Sequence, residues 1–162
     1  MELNEKKFEQ LKEQVRQLYS AMGEVRCPYF NENVHFSADG FYHMLFKGAS
    51  KPKKRDPKSQ RMRLKLFRLA PKLLELTKTV QEYHEEKQFV QVKLNKRKEQ
   101  HLKEIYYWGF VAIIDERRIK VVVKQIGNGN KKFWSIIPNW GSKKTSQGER
   151  IVIHHSGDLE ND

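Results

Sequence analysis

The sequence predicts an α+β fold in which helices come first and an antiparallel sheet follows. Apolar residues recur every three or four positions over residues 3–22 and 60–79, and this period is typical of amphipathic helices. After Val80, runs rich in aromatic and β-branched residues are separated by short turn sequences, which is typical of strands joined by hairpins.

Two helical segments precede the predicted sheet. The first, residues 3–22, has an apolar stripe and a charged face of nearly balanced sign. It fits either a helix packed on the core or a docking helix for a partner. The second runs from Gln60 to about Thr79 and contains Pro71, which removes one backbone donor. We therefore expect a kink, or two helices that meet near Ala70.

The segment between these helices is expected to be less regular. Residues 33–37 predict a short strand, Asp39-Gly40 predicts a turn, and residues 41–47 predict a short helix or a second strand. Residues 48–59 carry two prolines and five Lys/Arg with almost nothing apolar. This composition predicts an exposed, mobile basic loop.

Four strands are predicted for the sheet, over residues 82–94, 106–114, 118–126 and 132–138. Residues 115–117 are short enough for a hairpin turn, and Gly-Asn-Gly-Asn at 127–130 supplies residues that tolerate positive φ. Sequential strands with such turns predict an antiparallel meander.

The remaining sequence completes the predicted organisation. Residues 140–162 are polar, with a short edge strand predicted at 151–153 and disorder in the final residues. The predicted units are an N-terminal amphipathic helix (1–24), a central domain (25–140) and a polar, flexible tail (141–162).

Composition excludes several classes of protein. The single cysteine, Cys27, excludes an internal disulfide and an all-cysteine zinc site. The first residues lack the apolar stretch of a signal peptide, and the longest apolar run, residues 105–114, is too short to span a bilayer. We expect a cytoplasmic protein without a membrane span. The six histidines are scattered, and no phosphate-binding glycine loop or serine nucleophile elbow occurs, so we expect no metal and no cofactor.

The positive charge is concentrated in one part of the chain. The formal net charge is +12, and residues 47–72 contain eleven Lys/Arg against one acid, Asp56. Such a patch gains affinity for a phosphate backbone by releasing counterions, which favours nucleic acid as the partner. The alternative is a solvated face kept basic for solubility. The patch predicts nucleic-acid contacts from seven residues: Lys51, Lys53, Lys54, Arg55, Lys58, Arg63 and Lys65.

A metal-independent site for RNA cleavage can be assembled from this sequence. RNA supplies its own nucleophile, the 2′-hydroxyl, so the protein needs a base, an acid and cations for the charged phosphorane. Histidine suits the proton steps because its unperturbed pKa is ~6.5. His43 and Lys47 are four residues apart and share a face of a helix, although a buried structural His43 is an equal alternative.

Further candidates lie on the second helix and on the sheet. Arg61 and Arg68 are two turns apart and can clamp a phosphate. Lys124 is expected to point opposite to Val121 and Val123, and Ser135 is expected to share a face with Phe133 at a cleft edge.

The order of four segments resembles that of a known superfamily. These are Gly-Phe-Tyr-His-Met-Leu-Phe-Lys-Gly at 40–48, the Arg-rich helix from Gln60 into Leu-Ala-Pro at 69–71, and the strands that contain residues 119–124 and 132–136. Over about residues 33–138, the chain resembles the barnase–EndoU–colicin–RelE superfamily of ribonucleases, in particular its phage- and toxin-associated members.

The resemblance implies N-terminal helices before a curved antiparallel sheet of about four strands, metal-independent RNA cleavage, and a partner that neutralises a toxin. It places the family's early histidine or basic residue at His43 with Lys47 beside it. Its helix arginine falls at Arg61, or at Arg63 or Arg68. Its last-strand hydroxyl falls at Ser135, with Lys124 on the neighbouring strand. The helix before residue 25 and the polar tail depart from the family pattern.

These observations favour a metal-independent endoribonuclease that acts as the toxin of a toxin–antitoxin pair, with RNA as substrate and a protein or RNA antitoxin as partner. One alternative is a non-catalytic RNA- or DNA-binding module that uses the basic patch at 47–72. Another is a structural protein whose basic face meets an acidic partner. The oligomeric state is left open.

Overall fold

The computed structural model describes residues 2–48, 52–139, 142–144, 150–152, 159, 160 and 162. The helices in these ranges are α1 (Glu2–Met22), α2 (Ala38–Leu45), α3 (Pro57–Leu66) and α4 (Ala70–Leu76), with a 3-10 turn at Phe67–Leu69. The strands are β1 (Glu24–Cys27), β2 (Glu32–His35), β3 (Phe46–Lys47), β4 (Lys53–Lys54), β5 (Glu82–Leu94), β6 (Arg97–Ile114), β7 (Arg117–Ile126), β8 (Lys132–Pro138), β9 (Ser142–Lys144) and β10 (Arg150–Val152).

The fold is α+β, as predicted, and its main sheet is mixed. The strand order is β1-β2-β8-β7-β6-β5, and β5 to β8 form the predicted antiparallel meander. The prediction of about four strands is wrong. The hairpin β1–β2 adds two more because β2 pairs in parallel with β8, where His35 lies opposite Lys132. This parallel contact joins segments almost a hundred residues apart, so no local pattern indicates it.

Strand β6 is longer than predicted. It begins at Arg97 rather than at residue 106, and it pairs with β5 along the whole of β5. Strand β7 joins β6 only from Ile105 onward, so the β5–β6 hairpin extends beyond the main sheet as a two-stranded ribbon. The charged sequence at 97–104 has little intrinsic strand preference, and pairing with β5 overrides it.

One predicted helix break is confirmed, and one predicted turn is wrong. The break near Ala70 is confirmed, because the 3-10 turn separates α3 from α4 and Pro71 lies in the first turn of α4, where its missing N–H costs nothing. The turn predicted at Asp39-Gly40 is wrong, because both residues lie in the first turn of α2. A Cβ on Gly40 would clash with the Phe133 carbonyl oxygen, so glycine allows α2 to pack closely on β8.

The sheet buries different residues on its two faces. One face carries the main core, in which Phe110, Val121 and Phe133 pack with helix residues such as Tyr19 and Phe67. The other face carries a smaller cluster of Ile105, Tyr107, Val122 and Leu159. None of the helices in the described ranges combines the length and the hydropathy that a bilayer span needs.

Candidate active site

A group of buried polar side chains lies where α2, α3 and the link between β4 and α3 meet β7 and β8. Each is less than a tenth exposed, although isolated charges are rarely buried. We call this group the cationic cluster: His43, Arg55, Arg63, Lys120, Lys124 and Ser135, with Glu82 as its buried acid.

His43 is held between Arg55 and Trp134. The Arg55 Nε donates to the His43 carbonyl oxygen at 2.9 Å, and the Arg55 Nη2 lies 3.0 Å from the His43 Nε2. Because a guanidinium can only donate, Nε2 is the acceptor and the ring proton lies on Nδ1. The imidazole stacks on the Trp134 indole with 4.0 Å between ring centroids.

The surroundings of His43 keep it neutral. Burial lowers the pKa of His43 to about 2, and the charges of Arg55, Arg63 and Lys124 act in the same direction. A hydrogen bond to the Asp162 main chain acts in the opposite direction but does not outweigh them. His43 therefore presents an uncharged imidazole at neutral pH.

Arg63 connects α3 to the last strand of the meander. Its Nη1 donates to the Ser135 Oγ, and its Nε donates to the Ser59 Oγ at 3.3 Å. Burial, with the charge of Arg55, lowers the pKa of Arg63 to about 9. The guanidinium is therefore still a cation at neutral pH, and it is fixed by hydrogen bonds in a partly dry site.

Lys124 approaches the same indole as His43. Its Nζ lies 4.0 Å from the Trp134 ring centroid and 5.4 Å from that of Tyr107. Burial, with the charge of Lys132, lowers the pKa of Lys124 to about 8. An ammonium with this pKa can give up its proton near neutral pH, which an ordinary lysine cannot.

Lys120 forms a buried ion pair with Glu82. The Lys120 Nζ lies 3.0 Å from the Glu82 Oε2, and both side chains are less than a twentieth exposed. The Asp162 Oδ2 lies 2.6 Å from the same Nζ. Lys120 therefore has two carboxylate partners, from β5 and from the segment around residue 160.

A β-bulge places Ser135 in the cluster. The register of β7 and β8 shifts between Val122 and Val123, so Ser135 lies opposite Val122 while Phe133 lies opposite Val123. The expectation that Ser135 and Phe133 share a face is therefore wrong, because the extra residue at Trp134 reverses the alternation. Phe133 enters the main core, and Ser135 faces Arg63.

Three predicted site residues lie elsewhere. Helix α2 ends at Leu45, so Lys47 does not share a helix face with His43 and is exposed on β3. Arg61 donates to the Asn4 carbonyl oxygen at 3.3 Å, on the side of α3 next to α1. Arg68 lies in the 3-10 turn, 3.6 Å from the Asp115 carboxylate. The Arg61–Arg68 clamp is wrong because α3 ends at Leu66, before the second turn that it needs.

The residues predicted to contact nucleic acid fall into two groups. Lys53, Lys54, Lys58 and Lys65 are exposed, as a surface for phosphates requires. Arg55 and Arg63 are instead buried in the cationic cluster. The chain on either side of Arg55 is fixed, because β4 pairs with β3 and Asp56 caps α3 by accepting from the Ser59 main-chain N–H at 2.8 Å. The predicted exposed loop is thus partly ordered here, and Lys51 lies outside the described residues.

Sequence reasoning missed four residues of the site. Lys120 is the one charged residue in the apolar run 119–123, a signal that could have marked it as a buried cation. Glu82 and Trp134 carry no such signal, because Glu82 follows another polar residue, Gln81, and Trp134 follows another aromatic residue, Phe133. Asp162 lies in the segment expected to be disordered, but its contacts place it on the cluster.

Comparisons with known proteins add no relative. No protein-family model, curated protein or solved structure matches this chain with significant similarity. The resemblance to the ribonuclease superfamily therefore stays a prediction. In the described ranges, no group of three or more His, Cys, Asp and Glu side chains is arranged to hold a metal ion.

Proposed function

We propose that this protein is a metal-independent endoribonuclease and that the cationic cluster is its centre. The observation that supports this most is that His43 of α2 and Lys124 of β7 meet on one indole. Arg63 of α3, whose charge acts on His43, donates to Ser135 of β8 beside them. A neutral imidazole, an ammonium with a pKa near neutrality and two fixed guanidinium groups match the needs of 2′-hydroxyl attack.

In this proposal the proton steps belong to His43 and Lys124. The Arg55 Nη2, which donates to the His43 Nε2, turns to the phosphate when RNA binds, and the freed Nε2 accepts the proton of the 2′-hydroxyl. The Lys124 ammonium gives a proton to the leaving 5′-oxygen. Arg55 and Arg63 stabilise the charge that develops on the phosphorane, and Ser135 orients one of its oxygens.

Substrate binding makes His43 a stronger base. Its pKa is low because of burial and three neighbouring cations. A phosphodiester in the cluster brings a negative charge beside these cations, which raises the pKa of His43 when RNA is bound. The same negative charge stabilises the protonated form of Lys124, so the ammonium keeps its proton until it transfers it to the leaving 5′-oxygen.

Exposed lysines near the cationic cluster are the proposed contacts for the rest of the RNA strand. Lys53, Lys54, Lys58 and Lys65 lie on the segments that lead to Arg55 and Arg63, so they can hold the flanking phosphates of a bound strand. These lysines also favour the alternative, a binding module without catalysis, because phosphate contacts alone require no proton transfer.

We further propose that the activity is toxic to the cell and is neutralised by an inhibitor, a protein or an RNA. The support is the resemblance to toxin-associated ribonucleases together with the basic surface. Expression of the wild-type chain should arrest growth, and His43→Ala or Ser135→Ala should relieve the arrest. Arrest by both variants at wild-type protein levels would contradict the site assignment.

The direct test is RNA cleavage by purified protein in excess EDTA. We expect the wild-type chain to cut total RNA, and His43→Ala and Arg63→Ala to lose at least about a hundredfold in rate. The matched control is His101→Ala, which removes a half-exposed histidine paired with Glu99 on the ribbon. RNA that stays intact but shifts on a gel at low salt would favour the binding module.

A further inference from the structure

An acidic stretch of the chain occupies the cationic cluster. The sequence at 157–162 is Gly-Asp-Leu-Glu-Asn-Asp, and Leu159, Glu160 and Asp162 are among the described residues. Leu159 is 5% exposed and packs with Ile105, Tyr107 and Val122 on the face of the sheet that carries the cluster.

Polar contacts hold the middle of this stretch. The Trp134 Nε1 donates to the Glu160 carbonyl oxygen at 2.9 Å, and the Gln88 Nε2 donates to the Glu160 Oε1 at 3.1 Å. Trp134 is the ring that His43 and Lys124 approach, so the stretch is anchored at the centre of the cluster.

Asp162 satisfies the donors that the proposed reaction needs. Its main-chain oxygen accepts hydrogen bonds from Arg63 and Ser135, and the Arg55 Nη2 lies 3.4 Å from it. Its side chain accepts from the Lys120 Nζ at 2.6 Å. Oxygens of one residue thus meet two arginines, a lysine and a hydroxyl, which are the groups that a phosphodiester would contact.

We infer that the stretch, through Leu159, Glu160 and Asp162, is an internal competitor of RNA for the cationic cluster. With the stretch in place, the donors of Arg63 and Ser135 are used and the apolar face beside Val122 is covered by Leu159. RNA reaches the cluster only when the stretch leaves. The inference rests on the proposed function in one respect, the identity of the competing ligand as RNA.

Competition lowers the apparent affinity of the site. If the stretch is seated nine-tenths of the time, the observed Kd for RNA is about tenfold higher than that of the open site. Substitutions that unseat the stretch should therefore tighten RNA binding, although they remove contacts from the folded protein.

The test measures binding of a short fluorescein-labelled oligoribonucleotide by anisotropy, in EDTA, for the full-length chain and its variants. The probe carries 2′-O-methyl groups, so it lacks the nucleophile that cleavage requires and stays intact during the measurement. Leu159→Asp places a charge in an apolar pocket, and we expect its Kd to fall by about tenfold. The matched control is Ile113→Asp, which makes the same kind of change at a side chain that is 62% exposed, on β6. A Kd for Leu159→Asp equal to that of the control would overturn the inference.

A second variant separates loss of folding from loss of competition. Asp162→Asn keeps the packing of Leu159 and removes the charge that faces Lys120 and acts on Arg55 and Arg63, so we expect a severalfold fall in Kd. Asp115→Asn removes an equally negative but exposed side chain and corrects for the change in net charge. An equal fall in both variants would mean that net charge, not competition, sets the affinity.

A peptide supplied in trans completes the test. A synthetic peptide with the sequence of residues 157–162 should raise the Kd of the Leu159→Asp protein again, and a scrambled peptide should not. Tighter binding without any RNA cleavage would uphold the competition and refute the ribonuclease. Cleavage with unchanged Kd values in all variants would uphold the ribonuclease and refute the competition.

Discussion

Removing both carboxylates from Lys120 should destabilise the protein more than the two single changes together. Lys120 and Glu82 are 3% and 4% exposed, so the ammonium cannot be solvated when its partners are lost. In Glu82→Gln, Asp162 remains 2.6 Å from the Lys120 Nζ, and in Asp162→Asn, Glu82 remains at 3.0 Å. Either single variant thus keeps one counter-charge.

The magnitudes follow from burial. A hydrogen bond to a charged group contributes about 1.5–3 kcal/mol, so each single variant should lose about 1–2 kcal/mol of the free energy of unfolding. A buried charge without a partner costs about 3–5 kcal/mol, which is the loss expected for the double variant. The loss should exceed the sum of the singles by about 1 kcal/mol or more.

Urea denaturation at pH 7 followed by circular dichroism measures these losses. Glu9→Gln, which breaks an exposed ion pair with Lys12, should change stability by less than about 0.5 kcal/mol and serves as the control. Adding Lys120→Met to the double variant should restore stability, because the uncompensated charge is then gone. Additive losses, or no rescue by Lys120→Met, would refute the burial argument.

Three further predictions follow from the site and its support. The pKa of His43 is about 2 in the folded state and near 6.5 when unfolded, so the stability that depends on its neutral ring is fully present above pH 6.5 and falls as the pH drops below it. Between pH 7 and pH 5, the free energy of unfolding of the wild type should fall by about 2 kcal/mol more than that of His43→Gln. An equal fall in both proteins would contradict a neutral buried ring. Gly40→Ala would drive a methyl group into the Phe133 carbonyl, so we expect a loss of about 1–3 kcal/mol by urea denaturation; unchanged stability would refute the close packing of α2 on β8. Charge reversal of both Lys53 and Lys54 should reduce the slope of log Kd for RNA against log salt concentration by about 1–2, and an unchanged slope would exclude these lysines from phosphate contact.

Local patterns predicted the elements that local interactions determine. The amphipathic period gave α1 to within one residue, and the bounds of β5 and β8 match the predicted strands. The hairpin turn is confirmed at Asp115-Glu116, where φ is 49° and 66°. A two-residue hairpin turn needs positive φ at both residues to match the right-handed twist of its strands.

The misses arise from contacts between distant segments. The parallel pairing of β2 with β8 and the long β5–β6 ribbon depend on partners that no local pattern specifies. His43 and Lys47 were predicted to share a helix face, but α2 ends at Leu45, before Lys47 is reached.

The site could be predicted in part. His43, Arg63, Lys124 and Ser135 were singled out by residue type and by resemblance, and the structure brings them together. The burial of Arg55 could not be predicted, because a Lys-rich, Pro-flanked sequence has the composition of an exposed loop. Its burial depends on its hydrogen bonds to His43, which are tertiary contacts.

The chemistry of the cleavage products tests the central claim most directly. A chimeric oligonucleotide with a single ribonucleotide at each position in turn, incubated with the protein in EDTA, can be cut only after that ribose if the 2′-hydroxyl is the nucleophile. Mass spectrometry should then show fragments that end in a 2′,3′-cyclic phosphate, formed by the wild type and not by His43→Ala. Cleavage of all-deoxy oligonucleotides, or fragments that end only in a 3′-hydroxyl, would contradict the proposed mechanism.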